Sequence, residues 1–323
     1  MLGRRVSMSE VMLSIIVPVY NHEKYIEQTL DSILMQKTSY SYEVLVGEDC
    51  STDNTRKVLQ EYEKRHPGKL TVFYREKNLS TAKYWNWADL MRRTRGKYLI
   101  TLEGDDFWTS DTKIQEQIDF LETHPEYVAV AHNCVVVDQN GQPNGEIYPE
   151  CKVNNYTLWH YMLEILPGQL TTLMCRNFEK QDIFDKTIIE SHISPGDRVL
   201  YFALATHGRI YCMQKIMSAY RHVIHGGSSF SANVRYSFAA AEAWDRILMN
   251  FARKQGGFKG VLVTEVLYIS AIFHGLKARA LTWREARPLL GNLTHPVMAF
   301  FVGVIRYMYL RSPKSPFRRF ATK

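Results

Sequence analysis

Residues 99–108 read LITLEGDDFW: an apolar run that ends in three carboxylates, Glu103, Asp105 and Asp106, followed by two large aromatics. Carboxylates this close repel one another, and desolvation raises the cost unless a cation neutralises them. A hard divalent ion such as Mg²⁺ or Mn²⁺ does so with a few oxygen ligands, and substrate phosphates complete its shell. The bland alternative is a solvated turn, since Gly-Asp-Asp is ordinary turn chemistry. Other apolar runs end in polar residues too. Tyr20 and Asn21 follow LSIIVPV, and Glu48 and Asp49 close YEVLVGED. In EDCSTDNT (48–55), Asp49, Ser51 and Asp53 superficially match a calcium loop, but Asn54 stands where such a loop needs Gly and Gln60 where it needs Glu. Ser51, Thr52 and Asp53 are better read as caps for a helix beginning near Asn54. Capping leaves Glu48 and Asp49 unexplained, and a second acidic pair favours a site over a turn.

The runs that carry these residues are 13–20, 42–49, 70–76 and 97–104, and the segments between them (EKYIEQTLDSILMQ, TRKVLQEYEKRH and TAKYWNWADLMRRTR) have helical periodicity. Such alternation predicts βαβ units and a mainly parallel sheet, and near-continuous apolar strands predict that both faces are covered. YVAVAHNCVVVDQNGQP adds a strand closed by the turn dipeptide Asn140-Gly141. Farther on, YTLWHYMLEIL and DRVLYFALATHG read as helices, and RIYCMQ and IMSAYRHV as short strands. From Phe230 to Leu310 the pattern is mostly helical, with breaks at Gly256-Gly257 and Pro288 and a domain boundary near 230. In an open α/β sheet, ligands bind beyond the carboxyl ends of the strands. The three polar sets after strands are therefore predicted to line one rim.

These segments, in this order, resemble the family 2 glycosyltransferases with the GT-A fold. SIIVPVYNHEKYIEQTLDSIL matches the family's opening strand and helix, VLVGEDCSTDNT its second strand with an acidic Ser-Thr-Asp signature, and RGKYLITLEGDDFW its metal-binding motif in the Glu-Gly-Asp-Asp-aromatic-Trp variant. The resemblance is strong over 13–137 and traceable to 229. It implies an α/β GT-A domain over 1–229, with a nucleotide-sugar half (13–137) and an acceptor half (138–229), and a helical C-terminal extension over 230–323. It also implies roles. Pro18, Val19, Tyr20 and Asn21 would line the nucleotide pocket with Tyr20 near the base, Asp49 would accept from the base's imino group, and Glu23 matches a frequent acidic position nearby. Asp105 would ligate Mn²⁺ or Mg²⁺ on the donor diphosphate, with Glu103 and Asp106 in or behind the metal shell. The family inverts the anomeric centre, so a carboxylate must deprotonate the acceptor. Asp197 in ISPGDRVLYF matches that base, with Gly196 replacing the usual preceding Glu. YRHVIHGGSS resembles the segment beside the diphosphate and makes Arg221, His222 and His225 candidates for diphosphate or acceptor contacts. Two departures stand out: Glu103 replaces Asp in the metal motif, and Cys50 sits where Gly is usual.

The implied activity is a metal-assisted, hexosyltransferase-type single displacement from a nucleotide sugar, UDP-linked by expectation, to a hydroxyl of a glycan or polyprenyl-linked acceptor in capsule or lipopolysaccharide synthesis. A catalytically inactive nucleotide-sugar-binding homologue is the alternative. A nucleotidyltransferase is less apt, because PVYNHEKY is not the Gly-rich basic loop such enzymes carry after the first strand. The formal charge of +7 argues against nucleic-acid binding, because it resides in the tail: residues 286–323 hold seven Lys or Arg and no Asp or Glu. The apolar stretch Pro296–Ile305 is too short to span a bilayer, so the tail reads as an interfacial helix for an anionic membrane surface, or as a helix docked on the protein's own core. Five scattered cysteines and an N-terminus read as a short leader fit a cytoplasmic protein, peripheral on the membrane's inner face.

Overall fold

A computed structural model describes residues 11–79, 86–148, 150–177, 196–223 and 237–311. The first strand, β1 (Leu13–Val19), is buried along almost its whole length, as its unbroken LSIIVPV run requires. Helix α1 (Ile26–Leu34) turns Ile26, Leu30 and Ile33 inward at helical spacing. The alternation continues with β2 (Tyr42–Glu48), α2 (Thr55–Arg65), β3 (Thr71–Tyr74), α3 (Asn86–Arg92) and β4 (Tyr98–Thr101). A two-residue strand β5 (Phe107–Trp108), helix α4 (Lys113–Thr123) and the long strand β6 (Tyr127–Val137) follow. Then come β7 (Asn155–Tyr156), α5 (Leu158–Met162), β8 (Met174–Arg176), α6 (Gly196–His207) and β9 (Arg209–Arg221). The described residues end in four helices, α7 (Phe238–Phe251), α8 (Gly257–Lys277), α9 (Trp283–Leu290) and α10 (Pro296–Arg311).

The main sheet runs β3-β2-β1-β4-β8-β6-β9-β5. Strands β3, β2, β1 and β4 are parallel, with Leu13 of β1 facing Tyr42 on one side and Tyr98 on the other. The short β8 is antiparallel to both β4 and β6, whereas β6 and β9 are parallel. This is the mainly parallel α/β sheet expected, with antiparallel β8 in its middle and the two-residue β5 antiparallel to β9 at its edge. The core joins Ile15, Val17, Val46 and Ile100 of the strands to Leu30 of α1, Leu59 and Tyr62 of α2, and Ile118 and Leu121 of α4.

Three local expectations are corrected. RIYCMQ and IMSAYRHV form one strand, β9; its register against β6 slips around His132–Cys134, which absorbs the polar Gln214-Lys215 interruption. Helix α5 has five residues, not eleven, because Glu164 adopts the left-handed conformation (φ 61°) and turns the chain out. The glycines at 256–257 do not break the helix; a π-turn over Ala252–Gly256 carries α7 into α8. Pro288 likewise lies inside α9.

By contacts the chain forms two compact units. One holds β1–β6, β8 and β9 with α1–α4. The other holds α5–α10, so α5 and α6, from the middle of the sequence, join the C-terminal helices. In the helical unit α8 is the central helix, burying Val263, Val266, Tyr268 and Ile272. Among the described residues, one run, Ala241–Lys277, is long and apolar enough to cross a membrane, but 56% of its apolar window is buried inside the protein. The buried Glu265 of α8 accepts the backbone N–H groups of Thr294 and His295, capping the start of α10.

One contact fixes the end of β4 to α1. The buried Thr29 hydroxyl lies 2.7 Å from the Asp106 carbonyl and 3.0 Å from that of Gly104. Replacing Thr29 by the isosteric Val leaves both carbonyls without this donor, and urea unfolding is expected to show a loss of about 1–3 kcal/mol.

Candidate active site

The loop after β1 is held from the next strand–helix junction. The backbone N–H groups of Asn21, His22 and Glu23 donate in turn to Ser51 Oγ (3.0 Å), Thr55 Oγ1 (2.8 Å) and Asp53 Oδ2 (3.1 Å). Side chains return the contact: Asn21 Oδ1 accepts from the Thr52 N–H (2.8 Å) and Glu23 Oε2 from the Asn54 N–H (2.9 Å). Asp53 caps α2 as expected, its Oδ1 accepting the Thr55 N–H (2.9 Å), while Ser51, Thr52 and the second Asp53 oxygen lock the first loop. The side chains of Asn21 and Glu23, expected at the nucleotide, are engaged in this lock and position the backbone from behind. Asn21 (φ 57°) and Cys50 (φ 59°) both adopt the left-handed conformation. Glycine adopts that conformation more readily than the cysteine that stands at position 50. Between these loops Tyr20 stays exposed, at 37% of its surface.

The second acidic pair divides its labour. Glu48 is fully buried; its Oε1 accepts the Ser51 N–H (2.6 Å) and its Oε2 pairs with the Arg56 guanidinium (2.5 Å). It is an internal ion pair that holds the junction. Asp49 is also buried, and its Oδ1 accepts the Leu79 N–H (2.7 Å). The backbone N–H of Asp49 donates to the Val19 carbonyl (2.9 Å), which sets it beside the Pro18–Tyr20 segment.

The acidic loop leaves β4 along the same rim. The Gly104 N–H donates to the Pro18 carbonyl (3.2 Å), and a Cβ at Gly104 would sit 2.6 Å from His22 Nδ1, so only glycine lets the two loops approach this closely. Of the three carboxylates, Asp106 turns inward. Its Oδ1 accepts the Arg221 N–H (2.8 Å) and its Oδ2 the Gln169 side-chain amide (3.1 Å). Burial, reinforced by Asp105 and Glu103, pushes its carboxyl well above the usual carboxylate range. Glu103 shares the Gln169 amide at 3.3 Å. Asp105 remains partly exposed, with Oδ2 3.8 Å from His22 Nε2. Among the described residues no three His, Cys, Asp or Glu side chains converge as a metal cage. Of the two placements expected for Asp106, in or behind a metal shell, its commitment to protein donors fits the second. One or two carboxylates with open surroundings still fit an ion of the Mg²⁺ or Mn²⁺ kind, which takes most of its shell from water and phosphate. Asp105 and Glu103 match that donor set, and the neighbouring His22 Nδ1 is buried without a hydrogen-bond partner among the described residues.

The Arg221 side chain, expected near a diphosphate or acceptor, is engaged by the protein. Its Nε donates to the Asp105 carbonyl (2.8 Å), its Nη1 to the carbonyls of Asp138 and Gln139 (both 3.1 Å), and its Nη2 to Gln28 Oε1 (2.7 Å). The guanidinium also stacks over Tyr25 and Phe107. His222 contacts Glu146 through Nδ1 (2.7 Å), and His225 lies outside the described residues. Asp197 opens α6 in the helical unit, where its Oδ1 accepts the Arg198 N–H (2.7 Å). Burial raises its pKa against the opposing pull of Arg198. Sequence reasoning missed His22, Thr29 and Gln169. The glycine between Glu103 and Asp105 hinted at a close neighbour; nothing in PGQLTT pointed across more than sixty residues to an acidic loop.

Three comparisons bear on this geometry. The Glycosyl transferase family 2 model matches residues 14–180. The uncharacterized protein Rv1520 of Mycobacterium tuberculosis is 30% identical over 222 residues, which span 66% of this chain and 60% of that protein. The poly(ribitol-phosphate) beta-N-acetylglucosaminyltransferase TarS of Staphylococcus aureus is 33% identical over 113 residues, 34% of this chain and 19% of TarS. Residues 1–349 of TarS, solved with UDP-GlcNAc, superpose with a TM-score of 0.65 at 19% identity, covering 93% of this chain and 85% of that one. The mannosyltransferase PcManGT of Pyrobaculum calidifontis, solved with GDP-Man and Mn²⁺, gives a TM-score of 0.52 at 18% identity, covering 96% and 83%. These structural likenesses establish a shared fold.

Because Lys keeps the charge but not the fork of donors, Arg221→Lys is expected to lower stability by about 2–3 kcal/mol in urea unfolding. Unchanged stability with weakened nucleotide binding would return Arg221 to a ligand-contacting role.

Proposed function

Because the chain belongs to glycosyltransferase family 2, we propose that it moves a sugar, with inversion, from a nucleotide-sugar donor to a hydroxyl of a glycan or lipid-linked acceptor in cell-surface polysaccharide synthesis. The observation that carries this reading is the position of the partly exposed Asp105. It lies on a loop held to the loop after β1, at the carboxyl ends of parallel strands where open α/β sheets bind ligands. Tyr20 offers an exposed ring for a base, and Asp49, fixed beside it, offers a carboxylate for the base's imino N–H. We take the donor to be UDP-linked, in keeping with the UDP-GlcNAc bound by TarS. A divalent ion held by Asp105, with Glu103 beside it, would supply charge neutralisation for the diphosphate, as Mn²⁺ accompanies GDP-Man in PcManGT. Gln169 and Arg221 keep Asp106 and the acidic loop in place.

In the transfer, the acceptor oxygen forms a bond to the anomeric carbon as the bond from that carbon to the diphosphate oxygen breaks. The acceptor proton passes to Asp197, and the nucleoside diphosphate departs with its electron pair. A carboxyl raised by burial is a stronger base than an exposed one, which suits this task. We place the reaction in the cytoplasm, at the inner face of a membrane. The five cysteines are all free thiols, in accord with that compartment.

Calorimetry with UDP, GDP and dTDP, each with and without Mn²⁺, tests the donor half. Metal-dependent preference for UDP is expected, and Asp105→Ala is expected to abolish it while the circular dichroism spectrum is unchanged. Nucleotide binding unaffected by that substitution would remove Asp105 from the site.

For the acceptor half, Asp197→Asn is expected to retain UDP binding and lose about 10²–10⁴-fold in kcat. The raised pKa places the acid limb of kcat/KM above the ordinary carboxylate range. Full activity in the variant would assign the base elsewhere.

A further inference from the structure

Helix α10 is built inside out. Its buried positions are Ala299 and Arg306, while Val297, Phe301, Ile305 and Met308 are 57–69% exposed. Val304 joins them to complete a stripe at helical spacing, and Met298, Phe300 and Tyr307, also exposed, widen it. Arg306 faces the other way, into the helical unit. Its Nε donates to the Met162 carbonyl (2.6 Å), its Nη1 to Ser270 Oγ (3.3 Å) and its Nη2 to Glu164 Oε2 (2.7 Å). In water the opposite arrangement is favoured, because a buried guanidinium must find every partner inside the protein while the apolar side chains stay hydrated. A wholly apolar outer face on a helix whose inward charge is fully partnered marks a surface made for a second apolar environment.

The sequence around this face identifies that environment. The helix contains no acidic residue, and Arg311 closes it. The residues that follow in the sequence include Lys314, Arg318, Arg319 and Lys323, again with no acid, and Phe317 and Phe320 are interleaved among them. An apolar stripe with flanking basic residues complements acyl chains beneath anionic headgroups. The helix has 16 residues, about 24 Å of length, less than the roughly 30 Å hydrocarbon core, which suits lying in the interface over crossing it. We propose that α10 lies in the plane of an anionic bilayer surface, with Val297, Phe301, Val304, Ile305 and Met308 among the acyl chains; the basic sequence that follows supplies the charge that favours anionic lipid. This deepens the membrane part of the reading above and does not rest on the transferase part.

The test is co-sedimentation of the full chain with vesicles of phosphatidylcholine alone or in equal mixture with phosphatidylglycerol. UDP binding is measured on the same preparations. The parent is expected to bind the mixed vesicles at least about tenfold more tightly than the neutral ones, with the preference falling as salt rises. The double variant Phe301→Glu, Ile305→Glu is expected to lose vesicle binding about tenfold or more while UDP binding is unchanged. Arg318→Ser with Arg319→Ser is expected to weaken the preference for the anionic vesicles. Vesicle binding by Phe301→Glu, Ile305→Glu equal to the parent's overturns the proposal. So does a parent that ignores vesicles, and a dimer in sedimentation velocity that the same double variant converts to monomer would then assign the face to a second copy of the chain. Lipid binding without UDP binding would instead count against the donor site and leave this surface standing.

Discussion

A carboxylate taken out of water must be answered by donors, and in the sheet unit the carboxylate of Asp106 sets the terms. Its two oxygens are met by the Arg221 backbone and the Gln169 amide, so the loop after β4, the last strand and the segment before β8 are bound to one point. Arg221 then reaches past that point, with its guanidinium spread over carbonyls of residues 105, 138 and 139 and the side chain of Gln28. Thr29 closes the arrangement from α1. The partly exposed Asp105 is held out by this framework without having to hold itself. Breaking one buried partner leaves another uncompensated, which is why such networks are rigid when complete.

A second framework serves the neighbouring loop. Residues 21–23 and 51–55 exchange backbone and side-chain hydrogen bonds in both directions, so neither loop has its conformation alone. The left-handed residues Asn21 and Cys50 sit where the chain must turn to make the exchange. Pre-organisation of this kind reduces the ordering cost that any ligand of these loops would otherwise meet.

The alternation of strands and helices was legible because it is written in local periodicity, and the acidic loop was legible because three carboxylates in four residues have few structural uses. What local reasoning does not reach is which way a polar side chain turns. Arg221, Glu23 and Asp106 have the residue types of ligand contacts, and each is satisfied by the protein through partners 31 to 193 residues away. An arginine looks the same in a sequence whether its fork meets a phosphate or a carbonyl. The membership of α5 and α6 in the helical unit was hidden for a related reason, since their apolar residues do not say which core they join. Strand β9 read as two pieces because its polar middle lies at a bulge, where pairing slips without ending.

The span between Asp106 and Arg221 also imposes an order in time. The acidic loop is synthesised 115 residues before the strand whose backbone answers its buried carboxylate. At about 5–20 residues per second, translation leaves that loop without its partner for on the order of ten seconds. During this interval β1 to β4 can already pair as parallel neighbours, but Asp106 has only water and Gln169 to turn to. A nascent chain therefore carries the acidic loop well before it carries the framework that fixes it, and the late arrival of β9 is the step that completes that framework.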